Sequence, residues 1–497
     1  MQTLGFNNDL YIKKQSEMIA KRINDFGGKL YLEFGGKLFD DYHASRVLPG
    51  FAPDIKLKML LNMADRVEMV IVISASDIEN QKIRSDIGIS YDADVLRLID
   101  AFRDAGLYVG SIVIGRFTGQ RSAVLFKERL EGLGMKVYLH YPIEGYPLNV
   151  KHVVSPDGLG KNEYIETERP LVVVTAPGPG SGKMATCLSQ LYHENLRGVK
   201  AGYAKYETFP IWNLPLSHPV NLAYEAATAD LNDVNMIDPY HLEAYGKVTV
   251  NYNRDVENFP VLRAIFEKIY GKCPYKSPTD MGVNMAGFCI SDEDIVRGAS
   301  KAEIVRRYYK ILCDGLKNGK TNGDAITKIE FVMNQAGVST DDRAVVQAAH
   351  KKSEETDGKP ASALMLPDGR IVTGKTSSLL GPSAALLLNA LKALSDIDKD
   401  TDVISESVIK PIQELKTGVL GNHNPRLHSD EVLIALTISA SFDENSAKAL
   451  THLSDLRGCE AHSTVILPQS DEDAFRKLGV NITCEPKYTT KKLYHKQ

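Results

Sequence analysis

Short, unbroken apolar runs alternate with segments of helical period through the first 150 residues. Met69 to Ser74 (MVIVIS) and Val109 to Ile114 are continuous and rich in β-branched residues, the pattern of strands covered on both faces. Lys29 to Phe34 and Lys136 to Leu139 read as further strands. Between them, Ile55 to Ala64, Asp92 to Asp104 and Ala123 to Leu133 read as helices. In the second of these the apolar stripe is Val95, Leu96, Leu98, Ile99 and Phe102. This βαβα rhythm predicts a parallel sheet with helices on its faces.

A polar connection, Ser155 to Pro170, precedes a return of the rhythm at Leu171 to Thr175. Tyr203 to Phe209 is expected to be the next strand of that sheet. Val248 to Tyr252 adds a β signal and Val261 to Tyr270 a helix. The composition of the pattern then changes. Asp292 to Gly298, Ala302 to Asn318, Ala325 to Ala336 and Arg343 to Ser353 are helical, with little β signal among them. Thr356 to Ala361 (TDGKPA) reads as a linker. Past it, Ala363 to Leu366 and Arg370 to Thr373 flank a Pro-Asp-Gly turn, and Gly381 to Leu394 follows as a long apolar helix. Val432 to Ser439 and Thr464 to Leu467 are further regular segments. The expected division is an α/β phosphate- or nucleotide-binding region over 1–275, with subdomains 1–150 and 165–275. A helical domain over 276–355 and a C-terminal α/β domain over 356–497 complete it.

Composition narrows the classes of function. With 43% hydrophobic residues in a chain of 497, large cores can form. A net charge of −4 gives no reason to expect a sequence-independent grip on nucleic acid. No apolar run approaches the roughly 20 residues that span a bilayer, and Met1 to Leu10 lacks the pattern of a secretory signal. Six cysteines, Cys187, Cys273, Cys289, Cys313, Cys459 and Cys484, contain no C-x-x-C pair. They read as reduced thiols of a cytoplasmic protein. A homo-oligomer is compatible with this composition.

The strongest chemical signal is LVVVTAPGPGSGKMATCLSQL, residues 171–191. A buried strand runs into Gly178, Gly180, Ser181, Gly182 and Lys183, and a helix follows. Glycines let backbone N–H groups converge, the helix start adds partial positive charge, and a lysine neutralises the outer phosphates. Two positions depart from the standard P-loop. Pro177 stands where a glycine belongs, and Met184 where Ser or Thr would hold Mg²⁺; Thr186 and Ser181 are the nearby hydroxyls. A second stretch, Gly369 to Thr376 (GRIVTGKT), matches the P-loop pattern letter for letter. Its spacer is expected to be the second strand of a hairpin, and strand residues cannot cradle a phosphate.

The chain resembles a bacterial family known as domain-of-unknown-function family 1846, or uncharacterised protein family 0371. The resemblance rests on EFGGKLFDDYHASRVLPGF (33–51), RPLVVVTAPGPGSGKMATCLSQLYHE (169–194) and YETFPIWNLPLSHPVNLAYEAATADL (206–231). DVNMIDPYHLEAYG (233–246), SPTDMGVNMAGF (277–288), DGRIVTGKTSSLLG (368–381) and RGCEAHSTVIL (457–467) extend it over essentially the whole chain. It implies no particular activity. A zinc protease is not supported, because Arg197 stands where the second histidine of His193-Glu194 would be needed. The C-terminal strand, hairpin and helix are similar to the opening of cytidine-deaminase-like folds, but the zinc motif of those enzymes is missing at Lys375 to Leu379.

Other constellations have both a chemical and a bland reading. Lys205 and Glu207, on one face of the strand after the loop, are candidates to meet substrate or metal, or else strand-end charges facing water. Asp230, Asp233 and Asp238 are candidate metal ligands or bases, or a solvated acidic loop. Gly35, Gly36, Lys37, Asp40 and Arg46 form a candidate second substrate loop, or a hairpin with a charged rim. Arg254 is a candidate phosphate clamp or a surface ion-pair partner. Asp77 and Glu79 gain interest from their position just past a buried strand. Cys459, Glu460 and His462, with His423 and His428, are read as packing residues; no metal site and no zinc are expected.

The expected function is binding of a nucleotide or small phosphorylated ligand at a variant P-loop. ATP or GTP with Mg²⁺ would serve a phosphotransferase or ligase, with Lys205, Glu207, Asp230 and Asp238 as catalytic candidates. A regulatory protein that binds without turnover, and a hydrolase acting on a phosphorylated substrate, stand as alternatives. No membrane partner and no nucleic-acid partner are expected.

Overall fold

The computed structural model describes residues 4–39, 41–84, 87–231, 233–319 and 323–489. It divides into two compact units, Met1–Lys301 and Ala302–Gln497, and the division falls inside the helix Glu293–Lys317. Among the described residues no helix is long and apolar enough to cross a membrane.

The first unit is built on a seven-stranded sheet whose strands are all parallel. In chain order they are β1 Leu30–Phe34, β2 Val67–Ser74, β3 Tyr108–Gly115, β4 Lys136–Leu139, β5 Leu171–Thr175, β6 Gly202–Tyr206 and β7 Gly282–Val283. Their order across the sheet is β7-β6-β1-β5-β2-β3-β4. The chain lays down β1, steps past a vacant position to β2, and continues outward to β4. It then returns to place β5 between β1 and β2, and moves to the other side of β1 for β6 and β7.

Side-chain alternation explains why the strands are apolar throughout. Met69, Ile71 and Ile73 of β2 point to one face, where they pack with Ile19, Ile23, Met59, Leu60, Val95, Leu98 and Phe102 from the helices Asn8–Asp25, Ile55–Leu61 and Tyr91–Asp104. Val70 and Val72 point to the other, against Leu188 and Leu191 of Lys183–Leu196 and Phe259 and Phe266 of Asn253–Tyr270. The parallel-sheet expectation therefore holds. Val250–Tyr252 lies off the main sheet, paired antiparallel with Asn235–Ile237.

The second unit carries a four-stranded sheet. Its strands are β8 Ala361–Met365, β9 Ile371–Lys375, β10 Glu460–Ser463 and β11 Asn481–Cys484, in the order β9-β8-β10-β11. The first two pairings are antiparallel and β10–β11 is parallel. The Gly369 segment is the hairpin that its turn chemistry predicts: Gly369 has φ +87° and its N–H reaches the Leu366 carbonyl at 2.9 Å. Thr464 to Leu467 lies just beyond β10 rather than in it. The helix Ala344–Glu354 packs Val345 and Ala349 on Ala363 of β8, while Pro382–Leu394 packs on the opposite face through Leu386, Leu387 and Leu391. The helices expected as a separate middle domain are present; Ala302 onward forms one unit with the strands, and Ala344–Glu354 supplies apolar cover for this sheet.

Candidate functional site

In a parallel sheet every strand ends on the same edge, so the loops after β5, β1 and β6 emerge side by side. The connection after β5 runs to the face carrying Lys183–Leu196, whereas that after β1 runs to the face carrying Ile55–Leu61. Neighbouring strands whose connections leave to opposite faces open a crevice between them, the usual ligand position in open α/β sheets. The two glycine loops, Gly35-Gly36 after β1 and Gly178 to Gly182 after β5, flank that crevice.

The β5 loop is built for a tight approach. Gly180 and Gly182 have φ of +76° and +100°, a region in which side chains are strained, and Lys183 opens the helix. The Ser181 hydroxyl is buried and donates to the Gly178 carbonyl at 2.8 Å, so it braces the loop from within. A Cβ on Gly178 would lie 2.1 Å from the Tyr91 hydroxyl, which marks how closely that ring covers the loop. Thr186 is only 2% exposed on the inner side of the helix. No Ser or Thr follows Lys183 directly.

At the ends of β1 and β6, register does the positioning. Glu33 sits opposite Lys205, so both side chains leave the same face. Lys205 Nζ lies 2.8 Å from Glu207 Oε1 and 2.5 Å from Asp255 Oδ2, with all three side chains largely shielded from solvent. Asp255 comes from the first turn of Asn253–Tyr270. Tyr203, two residues before Lys205, donates its hydroxyl to Glu33 at 2.6 Å. Gly35 lets the chain pass beside this group: a Cβ there would come within 3.0 Å of Glu207 Cγ and 2.8 Å of the Tyr206 carbonyl.

One ammonium thus serves three carboxylates. Burial works against the Lys205 charge, but Asp255, Glu207 and Glu33 outweigh it and hold its pKa above the ordinary lysine value. Burial pushes Glu207 up to about 8; Lys205 opposes that rise, and Asp255 and Glu33 add to it. A carboxyl that titrates near neutrality is suited to proton transfer.

Because its folded-state pKa is raised, the proton on Glu207 stabilises the fold most below the ordinary carboxyl range, and that contribution is lost as pH rises through about 8. Glu207→Gln keeps the shape without the titration. Urea unfolding of this variant should vary less than wild type between about pH 5 and about pH 9. Parallel pH profiles for the two proteins would show that Glu207 carries an ordinary pKa.

Beneath the β1 loop, Lys56 is 1% exposed and pairs with Asp41 at 2.7 Å, beside the rings of Phe34 and Tyr206. Burial opposes the Asp41 charge, but Lys56 prevails and lowers its pKa. Arg116, just after β3, is exposed and has φ +53°, an unusual conformation for a non-glycine residue. Lys56 was not legible in the sequence as a residue beneath this loop, since it lies alone in an ordinary segment.

The other sequence candidates fall in varied places. Gly36 and Lys37 are exposed at the β1 loop, Arg46 lies half-buried in the helix Tyr42–Val47, and Asp40 lies outside the described residues. Asp230 is exposed in the turn Ala229–Leu231. Asp238 is engaged in capping. Its carboxylate caps Pro239–Tyr245 through the N–H groups of Tyr240 and His241, both at 3.0 Å, and accepts from Thr279 N–H and hydroxyl at 3.1 and 2.6 Å. The exposed Arg254 pairs with the buried Asp233 at 2.6 Å. Asp77 pairs with Lys82 at 3.3 Å, and Glu79 ends the short helix Ala75–Glu79. In the second unit Glu460 lies between Arg306 and Arg343, at 2.7 and 2.8 Å. His428 and Ser429 share Asp471 at the start of Ser429–Ser439, and His423 is exposed.

The model of "Domain of unknown function DUF1846, N-terminal" matches residues 4–337, and that of "Domain of unknown function DUF1846, C-terminal" matches residues 341–494. The chain belongs to the DUF1846 family. It is 58% identical over 496 residues to UPF0371 protein stu1377 of Streptococcus thermophilus, covering 100% of both chains. UPF0371 protein SpyM50764 of Streptococcus pyogenes serotype M5 is likewise 58% identical over 496 residues, again 100% of both. The glycine loop and the Lys205 group lie in the N-terminal DUF1846 part.

Proposed function

We propose that the carboxyl edge of the seven-stranded sheet binds a small phosphorylated molecule and carries out acid–base chemistry on it. The observation that supports this reading is the switch of connections between β1 and β5: the glycine loop ending in Lys183 and the Lys205–Glu207–Asp255 group share one sheet edge, on either side of β1. In this variant P-loop, the loop and Lys183 would take the phosphate, by backbone amides, helix start and ammonium together. Glu207 would exchange the proton, with burial first and then Asp255 and Glu33 keeping its pKa near the working range, and Lys205 orienting it.

A nucleotide with Mg²⁺ draws less support. The hydroxyl that would hold the metal is not beside Lys183, Ser181 is turned into its own loop, and Thr186 is buried. ATP- or GTP-dependent transfer therefore stands second, and a binding protein without turnover third.

The test is thermal stability against sugar phosphates, acyl phosphates, ATP and GTP, each with and without Mg²⁺, beside Lys183→Ala. A ligand present at a hundredfold excess over its Kd stabilises by about 2.7 kcal/mol. A Mg²⁺-independent shift with a phosphorylated metabolite, lost in Lys183→Ala and kept in Glu207→Gln, is expected. A shift seen only with a nucleotide and Mg²⁺ would favour the second reading. A shift that survives Lys183→Ala would place the ligand elsewhere.

A further inference from the structure

The second unit holds a group of side chains that phosphate binding in the first unit does not use. The parallel pairing of β10 with β11 sets His462 opposite Thr483, so both leave the same face of the small sheet. Glu485, two residues after Thr483, continues along that face, and its N–H is held by the Ser463 carbonyl at 2.8 Å. The helix Ala344–Glu354 covers the same face through Ala349 on Ala363, which brings the next residue, His350, over the strand ends. His350 Nε2 lies 2.9 Å and His462 Nε2 3.3 Å from one carboxylate oxygen, Glu485 Oε1. All three atoms are within 4.8 Å of one another.

We propose that His350, His462 and Glu485 form a binding site for a divalent first-row transition metal such as zinc. Three donors each about 2.1 Å from a tetrahedral centre stand about 3.4 Å apart. Two of the separations are already close to that, and the exposed His350 is free to close the third. The ligand set also fits. Two imidazoles and one carboxylate suit zinc and its first-row neighbours, whereas calcium and magnesium require a shell of oxygens.

The outer partners favour a ligand role. His462 is fully buried, and its Nδ1 lies 2.9 Å from Thr483 Oγ1, which leaves Nε2 to face the centre. The Tyr309 ring lies 4.8 Å from that of His462, tilted by 53°, and its hydroxyl hydrogen-bonds Glu485. His350 and Glu485 line a cavity of about 390 Å³ together with Pro360, Thr464 and Lys487. A three-ligand site opening on a cavity has the composition of a catalytic metal site, in which solvent or substrate takes the remaining position.

The proposal is independent of phosphate binding in the first unit, and its test reads metal alone. The full-length chain, stripped with chelator, is titrated calorimetrically with Zn²⁺, and Co²⁺ is followed by its visible absorption. One-to-one binding is expected. His350→Gln alters an exposed side chain and leaves the buried core intact, so it guards against loss through misfolding. It and Glu485→Gln should each weaken Zn²⁺ by more than the roughly 10- to 100-fold typical of losing an outer partner, and Thr483→Val should fall within that range. Zn²⁺ affinity unchanged in both ligand variants, or equal binding of Ca²⁺ and Zn²⁺, would overturn the proposal.

Discussion

Replacing Lys205 by methionine is expected to cost about 3–5 kcal/mol at pH 8, among the largest losses of any single change in the first unit. The substitution keeps most of the unbranched apolar stem and removes the ammonium. It leaves Glu207 and Asp255, each within 2.8 Å of the former ammonium, facing one another with Glu33 close behind. Breaking a shielded pair by deleting one partner is far more damaging than deleting both, because the remaining charges have lost water as well as their counter-ion. Two consequences separate this account from a loss of packing. The defect should shrink toward pH 5, where carboxylates take up protons, and Glu207→Gln added to Lys205→Met should recover part of it. Urea unfolding of the single and double variants at both pH values checks the result. A loss that is equal at both pH values and unaffected by the second substitution would identify packing as the cause.

This charge group also marks where sequence reading reaches its limit. MVIVIS announced a strand covered on both faces because a strand with one wet face alternates apolar with polar residues, and this run does not. The loop from Gly178 to Lys183 was legible because strand, glycines, lysine and helix follow one another without a gap. Lys205 and Glu207 were visible as a pair on one strand. Their partner Asp255 was not, since a carboxylate in the first turn of a helix is ordinary dipole chemistry. Glu33 opposite Lys205 depends on the register of two strands separated by more than 160 residues, which no local spacing encodes. Asp238 shows the converse. Read as a possible metal ligand, it is followed by Pro239, and an Asp before a first-turn proline is a helix-cap signal available in the sequence itself. His350, His462 and Glu485 have no readable spacing at all; a helix and two strands bring them together.

The same contrast between motif and context predicts the second large effect. Gly374 is the second glycine of the letter-perfect P-loop match, yet its role is steric. A Cβ there would lie 2.2 Å from Leu386 N, 2.6 Å from Leu386 Cα and 2.6 Å from the Pro382 carbonyl. These are backbone atoms of Pro382–Leu394, which cannot turn aside as a side chain would. Gly374→Ala is therefore expected to cost about 3 kcal/mol or more, at or above the upper end for overpacked cores. Gly369→Ala, at φ +87° but with open space around it, should cost only about 1–2 kcal/mol from the left-handed backbone. Lys375, exposed at the end of β9, should be replaceable by alanine with no effect on stability or on any phosphate-dependent shift. Thermal unfolding of the three variants orders them directly. If Gly374→Ala proved as mild as Gly369→Ala, the helix would have to stand off β9 by more than these distances allow. If instead Lys375→Ala abolished a phosphate-dependent shift that Lys183→Ala left intact, the motif would outweigh its hairpin context and the ligand site would move to the second unit.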